Sequence, residues 1–271
     1  MSIQDALFYG ALQGVSEFLP ISSSSHLFLL TKIFQAPPPT PLMEIGLHLG
    51  SFFVLLVYFW PWVWKMLCGF FHLLSGKITP SARLYIALIL AAVPSILFGF
   101  FIHTFVGRHF FERLDIIALT TLFFGLLLYV ADKRPQRLNL KDLTFYQAFW
   151  FFGMAQCLAF IHGVSRSGIT ITIGRFLGYK REEAVRFAFL MALGVIKGAV
   201  FLEGLKLYKH PINSFNWSPL LLGIGMSFIV GLFSIHLLMT LLKSNFLRYI
   251  ALYRMGLGVF LLFGIYWWGW S

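Results

Sequence analysis

Two short stretches hold the residues whose types and spacing could do chemistry. In the first, Glu17 follows Gln13 by one helical turn, so both face one side of a helix. After "FLP" come Ser22, Ser23, Ser24, Ser25 and His26. The second, "HGVSRSGITIT", offers Ser165, Arg166, Ser167 and Thr170, with Gly163 and Gly168 allowing close backbone approach. Serine is a preferred N-cap, and a helix starting at such a break turns unpaired N–H groups and the positive end of its dipole toward an anion. Arginine adds a planar fork that grips two phosphate oxygens at once. Two such grips face to face suit a diphosphate: one holds the leaving part, the other the attacked phosphorus. Ser23 and His26, three positions apart, could supply a nucleophile and proton transfer. Glu17 with Gln13 could hold a hard divalent cation such as Mg²⁺ or Ca²⁺.

Plainer readings stand beside these. Glu17 could be a solvated carboxylate near lipid headgroups. The serines could merely cap a helix and let neighbours pack closely, as small residues do in membranes. Arg166 could be a structural partner of Glu17. Against the first of these, a charge at bilayer depth costs about 2.5–3.5 kcal/mol on insertion scales, so one placed there usually has a partner or a task.

The elements that must position these residues lie in a membrane. Of 271 residues, 59% are hydrophobic and only 11% charged, about half the charged share of a soluble domain. Leu84–Val106, Leu114–Ala131, Phe187–Leu205, Pro219–Leu242 and Tyr249–Trp270 are each long enough for a hydrocarbon core of about 30 Å. Leu42–Trp64 is a sixth run, interrupted by Glu44, His48 and Pro61. A soluble protein is excluded. The net charge of +11 fits basic loops beside anionic lipid headgroups, not nucleic acid, because no basic domain could grip a duplex. Cys68 and Cys157 form no disulfide framework and are expected as free thiols. No Lys or Arg precedes the first apolar stretch, which argues against a cleaved signal peptide.

The two chemical stretches are also copies. Gly10–Ser25 aligns with Gly153–Gly168 at a constant offset of 143, pairing Gln13 with Gln156, Ser22 with Ser165 and Ser24 with Ser167. Leu114–Gly125 aligns with Leu247–Gly258 at an offset of 133. The expected organisation is a first repeat over 1–131, a polar linker over 132–142 and a second repeat over 143–271. Each half would hold a Ser-rich pair of half-helices, entering and leaving on one side, followed by three spans. With three spans per half, the halves must be inverted relative to each other, and their broken helices meet near the midplane. The fold class is therefore an all-α integral membrane protein, an inverted-topology repeat with about six transmembrane helices plus two re-entrant helix pairs. The linker holds Lys133, Arg134, Arg137 and Lys141, so the positive-inside rule puts it in the cytoplasm with Lys65, Lys77, Arg83, Lys180, Arg181, Arg186, Lys243 and Arg248. Lys32, Arg108, Arg113, Lys206 and Lys209 fall outside, and both termini face outward.

At the two breaks the chain resembles the undecaprenyl-diphosphate phosphatase family (BacA, the bacitracin-resistance proteins). The first family signature reads here as Gln13, Glu17, "FLP", Ser22, Ser23 and His26, and the second as His162, Gly163, Ser165, Arg166, Ser167, Gly168 and Thr170. "LHLGSFFVLLVYFW", "YQAFWFFGMAQCLA" and "ALYR" extend the likeness over essentially the whole chain. The resemblance implies a membrane hydrolase that converts undecaprenyl diphosphate to the monophosphate carrier of cell-wall synthesis. It also implies a divalent cation, a site open to the periplasm, and a multi-pass location in the bacterial inner membrane. By position, Glu17 and Gln13 become the metal and proton-relay pair, Ser23 a nucleophile, His26 its base or acid, and Arg166 the clamp on the diphosphate. Ser22, Ser24, Ser165, Ser167 and Thr170 become substrate contacts. The rival assignment makes His26 the nucleophile and Ser23 a phosphate donor. Expected partners are the polyprenyl substrate and membrane lipids, with no nucleic acid; a homodimer stays open.

Three departures from the family pattern bear on metal affinity and pH optimum rather than on reaction class: Gln13 for the commoner Glu, His162 for a proline, and His48 for a Gln. Glu44 and His48 are expected near the outer end of their span, lining the mouth of the pocket. Arg254, in the last span, is expected to have a buried structural partner, and Glu203 to lie near the outer interface with Lys206 rather than pairing with Lys197. Trp60–Trp64 and Trp267–Trp270 read as interfacial belts. The competing class is a transporter of a phosphorylated polyprenyl lipid, which would need Arg166 but neither Ser23 nor His26.

Overall fold

The computed structural model describes residues 2–106, 113–209 and 217–270. Arg108 and the side chains of Lys197, Glu203, Lys206 and Lys209 lie outside what is described. The described residues form α-helices joined by short turns, with no strand among them beyond one isolated bridge.

The first break is built by helix signals written into the chain. Helix α1 (Ile3–Phe18) starts at a capping box, in which Asp5 N–H donates to Ser2 Oγ at 3.1 Å and Ser2 N–H to Asp5 Oδ2 at 3.0 Å. Pro20 follows its end, and α2 (Ser23–Ile33) begins after Ser22. At about 1.5 Å per residue, an 11-residue helix is only half as long as a bilayer core is thick. Helices α3 (Pro41–Tyr58) and α5 (Pro80–Phe101) each open on a threonine N-cap followed by proline, Thr40–Pro41 and Thr79–Pro80. The run Leu42–Trp64, expected as one span, is broken at Phe59, where α4 (Trp60–Leu74) starts with Pro61 in its first turn. Proline lacks the N–H that would continue α3, so the chain restarts and α4 packs against α5.

Further along the chain, α6 (Leu114–Asp132) leads to a 3₁₀ turn (Leu140–Asp142). The element before the second break departs from the plain helix expected there. A π turn (Gln147–Gly153) gives way to α7 (Met154–Cys157) and a 3₁₀ turn (Leu158–Phe160). Gly153 lies hard against α5, where a Cβ would sit 2.8 Å from Pro94 Cγ. Then come α8 (Arg166–Phe176), α9 (Arg181–Lys209), α10 (Trp217–Leu241) and α11 (Phe246–Trp268). Among the described residues, five helices, α3, α5, α6, α10 and α11, are long and apolar enough to cross a membrane. The expected span Phe187–Leu205 falls inside α9, which is 29 residues long and whose side chains over 195–197 and 199–209 lie outside what is described. Side chains such as Leu97, Phe233 and Val259 point outward and uncovered, as lipid-facing residues do. Trp60, Trp64, Trp267 and Trp268 are also exposed, near helix ends. This is a multi-pass membrane protein.

Two packing features set the frame. Helix α1 lies on α10 through glycines: a Cβ on Gly10 would meet Gly223 O at 2.6 Å, and one on Gly14 would meet Gly231 N at 2.8 Å. Small residues four apart let membrane helices approach this closely. At the C-terminal end of α6, Asp132 is buried and takes two 2.6 Å bonds from Arg181 and one of 3.2 Å from Arg248. Arg175, fully buried, stands 3.6 Å from the same carboxylate and donates to the carbonyls of Asp132, Arg134 and Tyr179. The linker is held here too: Arg137 and Leu138 N–H both donate to Gly178 O at 2.9 Å. Burial, and to a lesser degree Asp142, push the Tyr179 phenol up to about 12, so it stays a neutral donor to Gln147 Oε1 at 2.8 Å. The free thiols fall in α4 and α7.

Candidate active site

The two breaks have the same local geometry. Ser22 and Ser165, 143 positions apart in sequence, both precede an 11-residue helix and both take the left-handed backbone, at φ 78° and 68°. This region is uncommon for a residue with a side chain. At the second break Ser165 Oγ accepts from Gly168 N–H at 3.1 Å, capping α8. At the first, Ser22 Oγ turns instead to Ser25 Oγ, 2.9 Å away, and lies 3.4 Å from Ser24 Oγ.

Both breaks converge on one carboxylate. Glu17, with a side chain only 8% exposed, accepts from Arg166 Nη2 at 2.8 Å on Oε1. On Oε2 it accepts from Ser23 Oγ at 2.7 Å and from Gln13 Nε2 at 3.1 Å. Ser23 and Arg166 are the first residues of α2 and α8, so one break supplies a hydroxyl and the other a cation. His48 completes the group from α3: its Nδ1 is 3.0 Å from Gln13 Nε2 and 3.8 Å from Glu17 Oε2. Two of the departures from the family pattern, positions 13 and 48, are therefore in direct contact. His48 lies in the site itself, a contact its spacing from Glu44 alone did not reveal. Ser51, one turn further along α3, is also reached by Gln13 at 3.5 Å.

The expected contact between Ser23 and His26 is not made. As the first residue of α2, Ser23 points back to α1. His26 folds one turn back, with Nδ1 2.8 Å from the Ser22 carbonyl, and reaches out to Tyr253 on α11, with Nε2 2.8 Å from its hydroxyl. A carbonyl can only accept, so Nδ1 carries the proton, and in the neutral ring Nε2 accepts from Tyr253. Nothing local in the sequence points to Tyr253, which is 227 positions away. Ser24 is exposed at the break, while Ser167 is buried, 3.4 Å from Ser165. Thr170 is fully buried and donates into its own helix, to Arg166 O at 2.8 Å and Ser167 O at 3.1 Å. It braces the turn that carries Arg166. His162 contributes its carbonyl, which accepts from Thr120 Oγ1 at 2.6 Å.

The donors available for a cation are few. Gln13 Oε1 is buried without a hydrogen-bond partner among the described residues, and Glu17 is the neighbouring carboxylate. Among the described residues no three His, Cys, Asp or Glu side chains gather into a metal cluster. One carboxylate and one amide oxygen fit a hard ion that draws the rest of its shell from water and substrate phosphate, as Mg²⁺ commonly does. Taken together, the site offers a hydroxyl hydrogen-bonded to a carboxylate, a guanidinium fork and two helix starts. That is the equipment for displacement at a phosphorus atom.

Comparison with known sequences bears on the same residues. The family model described as "Bacitracin resistance protein BacA" matches residues 6–260. The chain belongs to the BacA family. Similar proteins named Undecaprenyl-diphosphatase include one from Saccharophagus degradans, 35% identical over 268 residues, covering 98% of this chain and 99% of its own. One from Geotalea daltonii is 36% identical over 271 residues, covering 97% and 100%. One from Geobacter metallireducens is 37% identical over 259 residues, covering 94% and 96%. The BacA match takes in both breaks, α3 and the Tyr253 turn of α11, so every residue of the site lies within it.

Proposed function

We propose that this chain hydrolyses undecaprenyl diphosphate to undecaprenyl phosphate and inorganic phosphate, returning the lipid carrier to peptidoglycan synthesis and so conferring bacitracin resistance. The observation that carries the reading is the single carboxylate of Glu17, onto which one break delivers Ser23 and the other Arg166. The names of relatives that align over nearly the whole chain support the substrate.

In this reading Arg166 and the N–H groups at the starts of α2 and α8 hold the diphosphate, helped by Ser22, Ser24, Ser165 and Ser167. Ser23 Oγ attacks the terminal phosphorus and its proton passes to Glu17. The bond from that phosphorus to the bridging oxygen breaks, and the polyprenyl phosphate leaves with the proton Glu17 returns to it. Water then attacks the phosphoserine; Glu17 takes one of its protons and passes it to Ser23 as phosphate departs. Serine is favoured over His26 as nucleophile because both ring nitrogens of His26 are engaged, whereas Ser23 already donates to a base at 2.7 Å. Glu17 and Gln13 would hold a divalent cation, Mg²⁺ or Ca²⁺, which would offset the charge of the diphosphate.

Around this site the architecture we favour is an inverted repeat with two re-entrant pairs, α1–α2 and the 147–176 segment, in the inner membrane. The matched backbone of Ser22 and Ser165 and the shortness of α2 and α8 support it. The basic linker would face the cytoplasm and the site the periplasm. The test is phosphate release from undecaprenyl diphosphate by the purified protein. Activity should need Mg²⁺ or Ca²⁺, disappear with a chelator, and fall by at least about 100-fold in Arg166→Ala. No release by the wild type, or full release by Arg166→Ala, would end this reading. Full cellular function in both Ser23→Ala and His26→Ala would instead favour transport of the lipid.

A further inference from the structure

Arg254 lies in the middle of α11 with its side chain wholly buried, and among the described residues no carboxylate pairs with it. A guanidinium placed this deep would ordinarily be expensive. Its partners are all backbone carbonyls, and they come from both breaks. Nη1 donates to Pro20 O at 3.3 Å, and Nη2 donates to Gly163 O at 2.8 Å and Val164 O at 2.9 Å. Pro20 and Gly163 are equivalent positions of the two repeats, each standing two residues before its N-cap serine, Ser22 or Ser165. One planar fork thus spans the same carbonyl in both copies. Two glycines make room for it. A Cβ on Gly168 would lie 2.7 Å from Arg254 Nη1, and a Cβ on Gly125 of α6 would lie 2.9 Å from Arg254 Cβ.

We propose that Arg254 is a positioning residue: it ties the two breaks together and thereby sets how far Ser23 and Glu17 stand from Arg166. Arginine is required, because its rigid fork points separate N–H groups at two chain segments, whereas a lysine ammonium is one compact donor on a flexible stem. The charge also lies beneath the starts of α2 and α8, where it reinforces the pull of both helix dipoles on an anion.

The inference rests on the phosphatase reading, and the test separates the two. Wild-type protein and Arg254→Lys are purified in detergent and their phosphate release is measured over a range of undecaprenyl diphosphate concentrations, alongside thermal unfolding. Misplacement of reacting groups by about 1 Å can lower a rate by about 100-fold, so Arg254→Lys should lose about that factor in kcat while KM moves less than about threefold. Gly125→Ala, which pushes on Arg254 from α6 and leaves every charge in place, should lose about tenfold in kcat by the same displacement. It decides the matter alone if Arg254→Lys does not fold. Wild-type kcat in the folded fraction of these variants, with only a lowered melting temperature, would overturn the proposal and make Arg254 a purely structural residue. A wild type that releases no phosphate would overturn the phosphatase reading instead.

Discussion

At the scale of single residues, the proposed chemistry turns on which hydroxyl faces which base. Ser23→Ala removes the proposed nucleophile and should reduce phosphate release by about 100-fold or more, measured as initial rate at saturating substrate. Tyr253→Phe removes only the hydroxyl that meets His26 Nε2. It should lower kcat less than about tenfold, since one neutral hydrogen bond is worth about 1 kcal/mol. A larger loss in Tyr253→Phe than in Ser23→Ala would reverse the roles given to Ser23 and His26. The sequence made the polar residue types plain, because charge and hydroxyls are rare in so apolar a chain. It left their partners open. Spacing of three suggested Ser23 with His26, but the first residue of a helix points back toward the preceding segment, and the true partner of His26 comes from the far end of the chain. His48 was read as lining a pocket mouth, and only the crossing of α1 and α3 sets it against Gln13 and Glu17.

At the scale of elements, what matters is how closely α1 can lie on α10, because α1 carries Glu17 and Gln13. Gly14→Leu would force a side chain into the Gly231 backbone. Overpacking of this kind destabilises by about 1–3 kcal/mol, and here it should also shift Glu17. The expected result is a lower melting temperature together with loss of phosphate release, while Gly256→Ala, which meets nothing within 4 Å, should change neither. The breaks themselves were legible, since Pro20 and the clustered serines are strong stop and start signals. The restart at Phe59 was not, because Pro61 in the first turn of a helix is as acceptable as a proline that merely kinks one. The π turn before the second break has no local sequence mark; its last residue, Gly153, lies against Pro94.

At the scale of the whole molecule, two separate charge assemblies organise the fold. Asp132 gathers Arg175, Arg181 and Arg248 from three other helices. Removing one partner of such a buried set leaves the others uncompensated, so Asp132→Asn should destabilise by about 3–5 kcal/mol. Thermal unfolding in detergent would register it, with kcat of the folded fraction retained. The linker basics were legible as a cluster of charge, but this knot was not, since its members lie in segments that only the three-dimensional packing brings together. The second assembly, around Glu17, bears the proposed function. The most direct measurement is phosphate release from undecaprenyl diphosphate by purified Glu17→Gln protein, which keeps the shape of the side chain and removes its charge. The expected result is a loss of about 100-fold or more in kcat in protein that remains folded. Release at the wild-type rate would contradict it.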